Sequence, residues 1–281
     1  MQAFLFPGQG TQKVGMADDI LNRFPGAMTI YRQAAEEIGV DLVQLDETQL
    51  AQTRFSQLAI VVNSVACFEH ARQNENDLEK IAMAGFSLGE YTALYAAGAV
   101  DFSDLLRLVD ARARFMQDAA DDRPGAMYAI IGLDDVTVEN ILSEYTDAYP
   151  VNYNCPGQLV IAGAELAVTS AAEKCSEAGA KRVQKLAVSG AFHTPLMQTA
   201  GEKLRHYAED IDFKTPTSPI YSNALARQID ENTCFPNYLE KQMVSPVRFT
   251  AQIKQMRADG YDTFTELGPG KVLSGLIRRM K

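Results

Sequence analysis

The chain has 281 residues, 47% hydrophobic and 22% charged, enough to close one large packed domain, alone or with a smaller insertion, and too apolar for wholesale disorder. Its 36 acidic residues outnumber 26 basic ones for a net charge of −10, which disfavours nucleic acid as a partner because phosphate binding wants a basic surface. No apolar run approaches the roughly 20 residues of a membrane helix, and the N-terminus turns at Pro7-Gly8 before a signal-peptide core could form, so no membrane is expected and the cytoplasm is the default compartment.

In chain order, Ala3 to Phe6 reads as a short buried strand ended by the loop Pro7-Gly8-Gln9-Gly10-Thr11-Gln12. The third glycine of a dinucleotide fingerprint is missing, since Lys13 holds its place, and no Walker-type Gly-Lys-Ser/Thr occurs. Nucleotide binding is therefore disfavoured, whereas the free N–H groups of such a loop suit an oxyanion. Helical pieces follow from Met16 to Ala51, turning at Pro25-Gly26 and Gly39. Phe55 to Arg72 carries apolar residues at helical spacing and predicts a long, mostly buried helix, with His70 near its polar end expected at the surface.

Ala82 to Gly85 is a short apolar run that leads into Gly85-Phe86-Ser87-Leu88-Gly89, with a helix through Tyr91 to Ala97 behind it. This is strand, tight turn and helix, with Ser87 on the turn and its hydroxyl lifted out of the sheet. The next helix starts at Asp101 and runs to about Ala120, with Leu105, Leu108, Val109 and Met116 near one face. Arg112 interrupts that stripe, either as a structural ion pair or as a ligand for a carboxylate or phosphate.

Asp121 to Gly125 is the candidate linker. Beyond it the pattern runs strand (126–131), helix (134–145), strand (150–155), strand (158–162), helix (165–178) and strand (181–188), the βαββαβ order of a ferredoxin-like unit. The expected organisation is a large α/β domain of residues 1–123 and 191–281 carrying an inserted subdomain of residues 124–190. Ser189 to Pro195 then forms a loop holding His193, followed by an amphipathic helix from Leu196 to Ala208. Pro219 to Asn223 reads as a core strand, Tyr238 to Val244 and Arg248 to Arg257 as helices, and Thr263 to Leu267 as a late strand before Gly268-Pro269-Gly270 and a last helix.

A serine hydroxyl needs a base, and His193 is the only histidine in a Gly-rich loop between elements. The order of serine, insertion and histidine resembles that of α/β hydrolases, but no Asp or Glu stands out as a third member. A Ser87–His193 dyad with the imidazole oriented by a backbone carbonyl is expected instead, with the N–H groups of Leu88 and Gln9 as the oxyanion hole. Cys67, Cys155, Cys175 and Cys234 lie far apart, so neither a metal site nor a disulfide framework is signalled.

Five stretches recur in order: Phe6 to Gln12, Gly85 to Tyr91, Asn154-Cys155-Pro156-Gly157-Gln158, Ala191-Phe192-His193 and Glu266 to Gly270. Together they resemble the malonyl-CoA:acyl carrier protein transacylases and the related acyltransferases of polyketide synthases, nearly end to end. The resemblance implies a hydrolase-like α/β core with a parallel sheet and an inserted ferredoxin-like subdomain. It implies malonyl-CoA and the phosphopantetheine thiol of an acyl carrier protein as substrates, and no cofactor or metal. It makes Ser87 the acyl-carrying nucleophile, His193 the base, and Gln9 and Leu88 the oxyanion donors. Arg112 matches the arginine that pairs with the malonyl carboxylate, Gln242 the residue whose backbone carbonyl orients the histidine, and Asn154 a neighbour of the site. The chain departs at Phe86, where most members have histidine. Gly190 to His193 is closer to the polyketide-type motif, in which Phe192 would narrow the pocket against an α-methyl branch, so a discrete acyltransferase acting in trans is expected. The rivals are a thioester hydrolase that edits carrier-bound chains, which has no need of Arg112, and a non-catalytic carrier-binding homologue. The basic clusters at Lys181, Arg182 and Lys185, and at Lys271, Arg278, Arg279 and Lys281, are solvated faces or docking points for an anionic partner.

Overall fold

The computed structural model describes residues 1–188 and 190–280; Ser189 of the histidine loop and Lys281 of the last basic cluster lie outside the described residues. In chain order the elements are β1 (Gln2–Phe6), α1 (Met16–Arg23), α2 (Ala27–Ile38), α3 (Glu47–Leu50), α4 (Thr53–Arg72), β2 (Ala82–Gly85), α5 (Gly89–Ala96) and α6 (Phe102–Asp122). The second sheet follows as β3 (Gly125–Ile131), α7 (Asp135–Leu142), β4 (Ala148–Cys155), β5 (Gln158–Ala164), α8 (Glu165–Glu177) and β6 (Arg182–Lys185). The chain returns through α9 (Gln198–Ala208), β7 (Ile220–Tyr221), α10 (Phe235–Val244), α11 (Phe249–Ala258), β8 (Thr263–Glu266) and α12 (Val272–Arg278).

The first sheet is parallel, in the order β7-β2-β1-β8. Its inner strands, β1 and β2, are short and apolar on both faces because helices cover both, whereas the edge strand β8 is more polar and partly exposed. The period of two sorts the side chains. Phe4, Phe6 and Met83 face the core shared with α4, α5 and α6, while Ala3, Leu5, Ala82 and Ala84 pack on Phe249, Ile253, Met256, Leu273 and Leu276 of α11 and α12. α4 is buried through most of its length, which is why its sequence carries little polar face.

The second sheet is antiparallel, in the order β4-β5-β3-β6, the ferredoxin-like arrangement expected of βαββαβ. Ala126, Ile130, Leu159 and Ile161 face α7 and α8. The opposite face, with Met127, Ala129 and Val160, turns toward the first core. β4 also bonds to the segment after α10: Tyr153 N–H donates to the Val247 carbonyl at 2.9 Å and Val247 N–H to the Val151 carbonyl at 2.7 Å.

Several expected elements are shorter or broken, among them the helix over 134–145, which spans only Asp135–Leu142. The strand over 219–223 spans only Ile220–Tyr221, because Ser222 and Asn223 leave the ladder to bond to Arg227 and Glu90. The strand over 181–188 ends at Lys185, after which residues 186–188 bend along the cavity. The helix expected from Leu196 opens with a 3₁₀ turn, Pro195–Met197, whose first N–H groups are capped by Thr194. His70, expected at the surface, is half-buried and stacks on Phe24 at 5.3 Å.

Candidate functional site

The turn between β2 and α5 holds Ser87 at φ 51°, a left-handed conformation that costs a non-glycine residue roughly 1–3 kcal/mol. Its neighbours leave no slack. A β-carbon at Gly89 would lie 1.9 Å from the Phe6 carbonyl oxygen, and one at Gly85 would lie 2.0 Å from the Gly89 carbonyl carbon. The backbone of Ser87 is gripped at both ends: its N–H donates to Asn223 Oδ1 at 2.6 Å, and its carbonyl accepts from Gln242 Nε2 at 3.0 Å.

Ser87 Oγ lies 2.7 Å from His193 Nε2. His193 is only 6% exposed and is itself at φ 64°. Its Nδ1 faces two carbonyl oxygens, Ser245 at 3.0 Å and Gln242 at 3.2 Å. Both are acceptors, so Nδ1 carries the proton and Nε2 presents its lone pair to the serine hydroxyl. Burial, then the nearby Arg112 charge, pushes the imidazole down to about 4, against the two carbonyl contacts, which favour the charged form. At neutral pH the ring is therefore a neutral acceptor.

Arg112, from α6, is 1% exposed. Nη1 donates to Gln57 Oε1 at 2.7 Å and Nη2 to Ser87 Oγ at 3.1 Å, and the guanidinium lies 5.2 Å from the centre of the Tyr91 ring. Among the described residues no carboxylate pairs with it, and Nε has no hydrogen-bond partner. Burial lowers its pKa. A buried cation of this kind, beside a serine hydroxyl and with N–H donors to spare, has the chemistry to receive an anion.

The loop after β1 packs onto the elbow: a β-carbon at Gly8 would lie 2.4 Å from the Phe86 carbonyl oxygen. The N–H groups of Gln9 and Leu88 have no protein acceptor among the described residues. Leu88 lies directly behind Ser87, and Gln9, Ser87, Arg112 and His193 open onto a cavity of about 500 Å³ between the two sheets. Phe192 and Asn154 line it, and Asn154 Oδ1 is buried without a partner. Phe86 also lines it, half-buried and edge-to-face with Phe249 at 5.4 Å, so the position is filled by aromatic packing. No group of three or more His, Cys, Asp or Glu side chains among the described residues could hold a metal ion, and no helix is long and apolar enough to cross a membrane.

The structure thus gathers all eight residues named from sequence around one cavity or its immediate support. Four contributors were not anticipated: Gln57 under Arg112, Asn223 on the Ser87 N–H, Ser245 on His193, and Glu90, which binds Asn223 and Gln242.

A parallel α/β core with this elbow and an inserted antiparallel sheet is the architecture of acyltransferases built on a hydrolase-like frame. The chain belongs to the acyl transferase domain family, whose model matches residues 3–280. Among curated proteins it is 41% identical to the malonyl CoA-acyl carrier protein transacylase of Haemophilus influenzae, over 99% of this chain and 91% of that one. It is 39% identical to the protein of the same name from Bacillus subtilis, over 99% and 90%. Among solved structures it superposes with TM-score 0.94 and 38% identity on a malonyl-transacylase in complex with its type II PKS acyl-carrier protein, covering 99% of this chain and 92% of that one. An acyl carrier protein S-malonyltransferase from Vibrio cholerae gives TM-score 0.91 at 39% identity, covering 99% and 93%.

Proposed function

We infer that the protein moves a malonyl group from malonyl-CoA to the phosphopantetheine thiol of an acyl carrier protein, in two half-reactions through an ester on Ser87. In the first, His193 Nε2 takes the Ser87 Oγ proton as Oγ attacks the thioester carbonyl. The oxyanion accepts from the Leu88 and Gln9 N–H groups. The C–S bond then breaks, and His193 returns its proton to the CoA sulfur. In the second, the carrier thiol gives its proton to His193, attacks the ester carbonyl, and Ser87 leaves with the proton back on Oγ. Both half-reactions balance with these side chains and the two substrates.

The observation that carries this assignment is Arg112, a buried guanidinium at hydrogen-bond distance from Ser87 Oγ that forms no ion pair among the described residues, the buried Glu90 acting on it only through space. A dicarboxylic acyl group supplies the missing anion, and a plain acyl group leaves the charge unanswered. Phe192 and Asn154 bound the same cavity and set its width and polarity. The test is to follow CoA release from malonyl-CoA with and without holo-carrier protein. Release that depends on carrier and ends with malonyl on the carrier thiol supports transfer; release at the same rate into free malonate would make the protein a hydrolase.

A further inference from the structure

Glu90, at the start of α5, is 2% exposed and forms no ion pair among the described residues, although the Arg112 charge acts on it through space. A buried carboxylate is tolerated only if donors surround it. Here Oε1 accepts the Asn223 backbone N–H at 2.9 Å and the Tyr238 hydroxyl at 2.6 Å, and Oε2 accepts Gln242 Nε2 at 2.8 Å. Two of those three donors belong to the residues that grip Ser87. Asn223 Oδ1 holds its N–H, and the same Gln242 Nε2 reaches its carbonyl at 3.0 Å. The Gln242 main-chain carbonyl then faces His193 Nδ1.

We propose that Glu90 is a positioning residue for acyl transfer: by accepting from Gln242 it fixes the Gln242 amide with both N–H bonds spent on Glu90 and Ser87, and so sets the backbone of the serine turn against His193. The assignment rests on the transfer chemistry proposed above. The amide has no second way round, because turning it would point Oε1, now without a partner, at the Ser87 carbonyl. A proton on Glu90 is accommodated. Tyr238 also lies 2.7 Å from Ser222 Oγ, so its hydroxyl can turn there and accept from the carboxyl while Oε2 keeps Gln242. An amide in place of the carboxyl is not accommodated. The Asn223 donor is backbone and cannot rotate, so the oxygen of a glutamine must stay with it. The new NH₂ then meets Gln242 Nε2, donor against donor.

Glu90→Gln is nearly isosteric, so it tests the acceptor rather than the volume. The rate of Ser87 malonylation, measured by rapid quench with malonyl-CoA, is expected to fall roughly ten- to a hundredfold, the value of one to two misplaced hydrogen bonds to a buried group, with KM for malonyl-CoA little changed. The double variant Glu90→Gln/Gln242→Glu restores a donor–acceptor pair between α5 and α10 but turns a carboxylate onto the Ser87 carbonyl. Its Tm is expected to recover and its rate is not. A rate that recovers along with Tm, or a Glu90→Gln rate equal to wild type, overturns the proposal. Should Glu90→Gln fail to fold, Gln242→Met reads the same contact with the main-chain carbonyl kept, and an undiminished rate there overturns it equally. Wild type run alongside separates the two claims: no ester on wild-type Ser87 sinks the transfer chemistry, whereas an ester formed equally fast in both proteins sinks only the role of Glu90.

Discussion

Arg112→Ala takes the guanidinium from beside Ser87 and leaves a malonyl carboxylate facing Gln57, Met116 and the Tyr91 ring. Removing one partner of a buried ion pair costs about 3–5 kcal/mol, because the other charge stays buried and unpaired. At roughly tenfold per 1.4 kcal/mol that is a loss of ~10² to ~10⁴ in kcat/KM for malonyl-CoA. Ser87 retains some exposure to solvent, which favours the lower end, ~10². Acetyl-CoA has no carboxylate to lose, so its kcat/KM is expected to hold or rise as the buried charge disappears. The assay is CoA release from each thioester at saturating holo-carrier, with circular dichroism to check that the variant is folded. A hundredfold fall in the malonyl-to-acetyl ratio supports the clamp. A parallel fall for both would refute it, and would assign Arg112 to its 3.1 Å bond with Ser87 Oγ instead.

The depressed pKa of His193 carries its own sign. A base held near 4 rather than 6.5 stays neutral in the free enzyme down to about pH 5, so kcat/KM is expected to lose no activity around pH 6.5; an acid limb at the ordinary histidine value would contradict this. The same shift makes the folding contribution of His193 complete above pH 6.5 and lost as pH falls through about 4, visible as a falling Tm that His193→Gln removes. Gly89→Ala sets a methyl 1.9 Å from the Phe6 carbonyl oxygen, so β1 and α5 must separate. A destabilisation of several kcal/mol is expected in denaturant titration, at or above the ~1–3 kcal/mol usual for overpacking, and a variant of unchanged stability would show that the elbow is not closed this tightly. Lys271, Arg278 and Arg279 are exposed near the cavity mouth that Val272, Leu273 and Leu276 help line, without an acidic partner among the described residues (Arg279 donates to Gln158), whereas Lys185 of the other basic cluster is already paired with Glu165. Reversing any of the three is therefore expected to raise KM for the carrier and flatten its salt dependence, and an unchanged KM would move docking elsewhere.

The sequence exposed what rests on local rules. The glycines around Ser87, the period-two strands and the βαββαβ order each constrain backbone over a few residues, so the elbow, the two sheets and the insertion were legible before any tertiary contact. Residues defined by what they touch were not. Glu90 reads as an acid in the first turn of a helix, favoured there by the helix dipole, until Asn223, Tyr238 and Gln242 close around it. Asn223 reads as the end of a core strand because nothing local says that Glu90 will draw its N–H out of the ladder. Gln57 lies on a helix buried on nearly every side, where no stripe marks one polar position above another. Ser245 contributes only a carbonyl and has no side-chain signature at all. A polar or charged residue set in an otherwise apolar helix, as Glu90 is beside Tyr91, Ala93 and Leu94, was the one available signal.

In this mechanism Ser87 carries the acyl group between the two half-reactions. Mixing the protein with malonyl-CoA, without carrier, and mapping the product by peptide mass spectrometry tests it directly. The expected result is a malonyl ester confined to the Ser87 peptide, absent from Ser87→Ala, stable over many turnover times in water and discharged on adding holo-carrier protein. No ester, an ester on another residue, or one lost to water before carrier is added would contradict it.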